Sequence, residues 1–121
     1  MNKLLNTDNP VTNVLNAVVE QAIQDYLTTK LYLYRLERND TKLLEGLRRI
    51  NKTPEQFNEE CKKELDECVY FFIMGDYKAL YGNLSGMEVI IRLTDRFTNE
   101  VIPEFEKTGK WFYKRQGAES E

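Results

Sequence analysis

Histidine is absent from the 121 residues. That absence removes the commonest general base, the commonest metal ligand and the usual near-neutral pH switch. Cysteine occurs only at Cys61 and Cys68. With no Cys-x-x-Cys pair, a structural zinc site has no ligand set. The two cysteines fall in a segment read as helix. At about 1.5 Å rise per residue their Cα atoms lie about 10 Å apart, beyond the roughly 7 Å limit for a disulfide. They are expected to be small buried apolar residues, and Cys68 has no histidine to activate it as a nucleophile.

Long apolar runs are missing as well, and none approaches the roughly 20 residues of a membrane span. The opening Met1-Asn2-Lys3-Leu4-Leu5-Asn6-Thr7-Asp8 lacks the apolar core and small-residue cleavage site of a signal peptide. The expected compartment is therefore the cytoplasm. Gly82-Asn83-Leu84-Ser85-Gly86 is no phosphate loop, because it lacks the lysine and follows a helix instead of a strand. These absences leave no catalytic residue, metal site or cofactor to name, and the expectation is a protein that is not an enzyme.

What is present is an ordinary globular composition, 41% hydrophobic and 31% charged, on a chain of single-domain length. Residues 1–115 are read as one helical domain and residues 116–121 as a disordered tail. The net charge of −3 gives no global attraction to nucleic acid. Charge is uneven, however. Residues 53–76 are strongly acidic, residues 35–52 are mainly basic, and residues 107–115 carry Lys107, Lys110, Lys114 and Arg115 with no acid.

Periodicity predicts helices throughout. Asn9-Pro10 resembles a helix start, and the helical pattern runs to about Asn39. Val11, Val14, Leu15, Val18, Val19, Ala22, Tyr26, Leu33 and Leu36 fall on one stripe. A second stripe of Ile23, Leu27, Leu31 and Tyr34 lies well round from the first. A helix packed on one side needs only one apolar face. Either the C-terminal half of this helix is sandwiched between others, or Ile23, Leu27, Leu31 and Tyr34 form the interface of a homodimer.

Asn39-Asp40-Thr41 then caps a short helix with Leu43, Leu44, Leu47 and Ile50. Thr53-Pro54-Glu55-Gln56 is a capping box opening a central helix with a buried stripe of Phe57, Cys61, Leu65, Cys68, Phe71 and Phe72. Gly75 is expected to end it in the left-handed conformation. A short helix over 76–81 is expected next, stopped by Gly82. Ser85-Gly86-Met87-Glu88 is a second capping box, opening a C-terminal helix to about Ile102 with Pro103 following its end. Its stripe is Val89, Ile90, Leu93, Phe97 and Val101, with Glu88–Arg92 and Arg96–Glu100 as exposed i, i+4 pairs. No strand signal competes, so the fold class is all-α. The expected architecture is a compact bundle of one long N-terminal helix, a central helix and a C-terminal helix, joined by short helices.

Glu60, Glu64 and Glu67 share a helical face and imitate a metal or acid/base site, but neighbouring charges make a solvated acidic face the plainer reading. Residues 76–101 have the layout of a helix-turn-helix. The residues that would meet base edges are Met87, Glu88, Val89 and Ile90, apolar or acidic, while Arg92 and Arg96 sit further along. The run Lys110-Trp111-Phe112-Tyr113-Lys114-Arg115 combines bases and aromatics. It suits stacking on single strands, a protein anchor, or simple packing of Trp111 and Phe112 onto the core.

The stretch Phe71-Phe72-Ile73-Met74-Gly75-Asp76-Tyr77-Lys78-Ala79-Leu80-Tyr81-Gly82 and the helix from Gly86 to Leu93 resemble a pattern in small uncharacterised helical proteins of Gram-positive phages and prophages. The opening Asn9-Pro10-Val11, with Val14-Leu15, Ala17-Val18 and Asp25-Tyr26, is similar to those proteins too, and together the matches cover about half the chain. Where they often carry serine or aspartate before the turn, this chain has Met74-Gly75. The resemblance brings no catalytic residue. It implies a phage accessory role, in which small proteins bind and block a host or defence protein or regulate phage genes.

The leading expectation is a homodimeric protein that binds and inhibits or redirects a larger bacterial protein, with an anti-defence role such as anti-CRISPR activity as its sharper form. The partner contacts expected are Arg35, Arg38, Arg48, Arg49, Trp111, Tyr113, Lys114 and Arg115. A DNA-binding regulator using residues 76–101 and a homo-oligomeric assembly protein are the alternatives. No membrane association is expected.

Overall fold

The computed structural model describes residues 10–75, 77 and 84–110, with side chains from residue 17 onward. These form α1 (Pro10–Glu37), α2 (Thr41–Arg49), α3 (Pro54–Met74), α4 (Gly86–Arg96), a π-helical turn (Phe97–Val101) and α5 (Ile102–Thr108). The class is all-α. The helix expected over 76–81 lies outside the described residues.

Local chemistry sets where the helices begin, because the first backbone N–H groups of a helix have no partner within it. At α2 the Asp40 carboxylate accepts from the Leu43 N–H at 3.2 Å. At α3 the Thr53 hydroxyl accepts from the Gln56 N–H at 3.0 Å, and the Gln56 side chain accepts from the Thr53 N–H at 2.9 Å. Ser85 and Glu88 repeat that exchange at α4, at 3.2 and 2.9 Å.

The side-chain contacts fix the helix directions. Tyr26 packs on Phe72 and Tyr32 on Phe57, so α1 and α3 are antiparallel. The Tyr26 hydroxyl lies 3.4 Å from that of Thr94, and Tyr34 meets Phe97 and Phe105, so the α4–α5 arm runs with α1. The C-terminal half of α1 is thus held between α3 on one side and α4, the π turn and α5 on the other. Leu27, Phe72 and Val89, each fully buried, bring the three helices together at the centre.

This arrangement decides between the sandwiched and the homodimer readings of the second stripe on α1, and the homodimer interface over Ile23, Leu27, Leu31 and Tyr34 is corrected. Ile23, Leu27 and Leu31 are buried in the chain's own core, and Tyr34 packs against it. They are therefore the sandwiched face and are not open to a second copy. The other stripe is divided: Val19 and Tyr26 are buried in the same core, whereas Val18 is exposed and Leu33 and Leu36 are only half-buried. The helix is covered on the side that faces both neighbours, and apolarity alone does not say which side that is.

Three terminations also differ from expectation. Gly75 is extended (φ −83°, ψ 169°), not left-handed. A Cβ there would stand 2.7 Å from the Tyr77 hydroxyl oxygen, because that ring folds back and donates to the Phe71 carbonyl at 3.0 Å. Tyr77 thus satisfies one of the carbonyls left over at the end of α3. Pro103 does not follow the end of a helix; it sits in the first turn of α5. Proline lacks an N–H and clashes with the carbonyl four residues back. The π turn before it widens the spiral, with the Ile102 N–H donating to the Phe97 carbonyl, and the helical path continues. Ile50, finally, is the exposed C-cap of α2 and no part of its buried side, which is Leu43 and Leu47.

Candidate partner-binding surface

The basic residues singled out from the sequence divide on inspection. Arg35 is not free for a partner: its Nε donates to the Asp40 carboxylate at 2.8 Å, and its guanidinium lies against the rings of Tyr32 and Phe105. It ties the end of α1 to the start of α2. That bond, more than any other cause, holds the Asp40 carboxyl below the usual carboxylate range. Arg38 is exposed and stacks 5.0 Å from the Tyr34 ring centroid. Arg48 and Arg49 are exposed in the last turn of α2. Trp111, Tyr113, Lys114 and Arg115 lie outside the described residues.

The acidic face of α3 has structural ties as well. Glu60 accepts from the Lys52 ammonium at 2.7 Å, and the Cys68 thiol lies 4.0 Å from Glu64. Burial, followed by the nearby Glu64, pushes the Cys68 thiol up to about 12. Burial also raises Cys61. Both thiols are free and buried, so neither supplies thiolate near neutral pH.

The sequence reading missed a different surface. Tyr70, Ile73 and Met74 recur at i, i+3 and i+4 on the side of α3 away from the core, and Met87 and Ile91 recur at i, i+4 on the outside of α4. All five are between 47% and 66% exposed. One glycine brings the two groups together. A Cβ on Gly86 would stand 2.4 Å from the Phe72 carbonyl oxygen and 2.7 Å from the Ile73 Cα. The first turn of α4 therefore rests on the last turn of α3. With a 3.8 Å step between consecutive Cα atoms, Met87 lies within about 8 Å of Ile73. The available signal was that α3 turns apolar all round at Tyr70-Phe71-Phe72-Ile73-Met74, which leaves one face without a core to meet.

The same geometry bears on nucleic acid. At the start of α4 the outward residues are Met87 and Ile91. The Glu88 carboxylate is engaged by the Ser85 N–H, and Arg96 pairs with Glu100 at 3.5 Å. Arg92 is exposed, so the leading face of α4 carries two large apolar groups before its first base. Residues 78–83, needed for the helix-turn-helix reading, lie outside the described residues. Among the described residues, no helix is long and apolar enough to cross a membrane.

Comparison with family models, curated proteins and solved structures found no match. Function therefore has to be argued from these surfaces. Among the described residues, the structure does not bring Arg48 and Arg49 to the apolar cluster. Arg48 and Arg49 sit on α2 near the start of α3, whereas the cluster is at its end, and 20 residues of helix separate those ends by about 30 Å.

Proposed function

We propose that this chain is a binding protein and not an enzyme, acting by docking on a larger bacterial protein of the host or of its defences and inhibiting or redirecting it. The observation that carries this reading is the exposed cluster of Tyr70, Ile73, Met74, Met87 and Ile91 at the α3–α4 junction. Contiguous exposed apolar groups on a soluble chain mark interaction sites. Methionine adapts to irregular partner surfaces, and tyrosine is enriched at binding hot spots. The likeness to phage accessory proteins supports a bacterial setting, with a CRISPR effector as the sharpest form of the target.

The cluster favours protein over DNA as the partner, since affinity for DNA comes largely from bases placed against phosphates. A tagged pull-down from a Gram-positive lysate, with and without nuclease, tests this against a Met74→Glu/Ile91→Glu variant. Both positions are exposed, and circular dichroism verifies that the variant folds. One larger protein retained after nuclease and lost with the variant supports the reading. DNA recovered at low salt and released at moderate salt would overturn it in favour of a regulator.

A further inference from the structure

The covered and uncovered faces of α1 leave a second surface to explain. Two hollows share Leu33 and Glu37 and so form one trench along α1. The larger, about 500 Å³, is bounded by Leu33, Leu36 and Pro54 with Glu37, Glu55 and Lys62 at its rim. The smaller, about 230 Å³, continues between Leu65 and Phe97 to Lys30. Its floor is Leu33 and Leu36, the half-buried C-terminal end of a stripe whose Val19 and Tyr26 go into the core. α3 meets the first turn of α4 at Gly86, whereas the trench lies at the other end of α3, beside Pro54 and Glu55.

We infer that this trench receives the segment Lys110-Trp111-Phe112-Tyr113-Lys114-Arg115 of a second copy of the chain, in a reciprocal dimer. Three observations support that occupant. The floor is aliphatic and takes aromatic anchors. The wider end is flanked by Glu37 and Glu55, and the segment carries three bases and no acid, a complementary pairing. Lys110 lies on the opposite side of α1, beside Thr28, Leu31 and Tyr32. To fill its own trench, a chain leaving from there would have to wind round a helix about 10–12 Å across. A two-fold dimer avoids this, each segment entering the other's trench through the same contacts. The dimer expected from the sequence is kept, but its contact moves from the buried face of α1 to the open one.

This inference does not depend on the larger partner, because the trench residues and the α3–α4 cluster do not overlap, and either can fail alone. Trp111 is the sole tryptophan, so its fluorescence in the full chain reads the segment directly. As concentration rises, the emission is expected to move to the blue while sedimentation passes from monomer to dimer. Glu37→Lys/Glu55→Lys should weaken the dimer at least about tenfold, whereas Glu45→Lys on exposed α2 should leave it unchanged. If the double reversal perturbs folding by circular dichroism, Trp111→Ala, read by sedimentation, serves instead and should abolish the dimer. Emission independent of concentration, a dimer indifferent to both variants, or a monomer at every concentration would overturn the inference.

Discussion

At the α3–α4 junction two helices meet backbone to backbone, while at the start of α3 a trench stays open along the same α1. The closed end has a glycine at the crossing, Gly86, and a group of aromatic rings around it. Phe72 packs against Tyr26, Tyr77 and Phe71, with centroids 5.6, 5.9 and 6.0 Å away. The open end has Pro54, charged rims and two half-buried leucines, Leu33 and Leu36. Apolar side chains stand at both ends of α1. The difference comes from how closely the neighbouring backbones can approach, which makes the closed end the structural anchor and leaves the open end available to a partner.

The sharpest way to break that comparison is to empty each end in turn. Phe72→Ala should destabilise the fold by about 4 kcal/mol, since it removes a fully buried ring and leaves a cavity. Leu36→Ala at the open end should cost only about 1 kcal/mol, because its side chain is half in water already. Urea midpoints measure both, and equal losses would mean that the ends are not different in kind.

Glycine supplies the next contrast. Gly86→Ala forces a methyl group into the Phe72 backbone and should cost about 3 kcal/mol. Gly46→Ala in α2 meets nothing within 4 Å; it should stabilise by about 0.5–1 kcal/mol, chiefly by restricting the unfolded chain. Thermal melts of the pair would settle the sign of each.

A smaller effect tests the joint that sets the open end. Asp40→Ala removes both the α2 cap and the Arg35 pairing and should cost about 1–2 kcal/mol. The pH dependence follows from the direction of its shift. Asp40 is depressed in the folded state, chiefly by Arg35. Its contribution is therefore fully present above the unfolded aspartate value of about 3.9 and is lost as pH falls through the lower folded value. Urea titrations in that acid window should show a smaller stability loss on acidification for Asp40→Ala than for the unmodified chain.

The finest measure is thiol accessibility. With both thiols buried and raised, alkylation near pH 8 should be slow for each and should speed up in denaturant. Cys61, closer to the open end, should react before Cys68, which touches the core. The reverse order by mass spectrometry would place the looser end at the α3–α4 junction instead.

Much of this fold was legible along the chain, because capping and short-range periodicity are local. Asp40, Thr53 with Gln56, and Ser85 with Glu88 each act on backbone groups within three residues, and all three starts stand where their side chains indicate. The buried stripe of α4, carried into the π turn by Phe97 and Val101, was equally readable. The exposed apolar cluster at the α3–α4 junction was not. Ile73 and Met87 are far apart in sequence and become neighbours only through the crossing at Gly86. Arg35 looked like a free base because its partner, Asp40, also serves as the cap of the next helix.

The sequence by itself determined the all-α class, the positions where helices begin, and that two cysteines spaced too far apart on one helix do not join to each other. Each follows from geometry within a few turns of one chain. Only the tertiary structure decided which part of each α1 stripe is buried, how the helical path continues through Pro103, and where apolar side chains remain facing water. Those outcomes depend on which backbones come close enough to exclude solvent, and that is a property of pairs of helices rather than of either one alone.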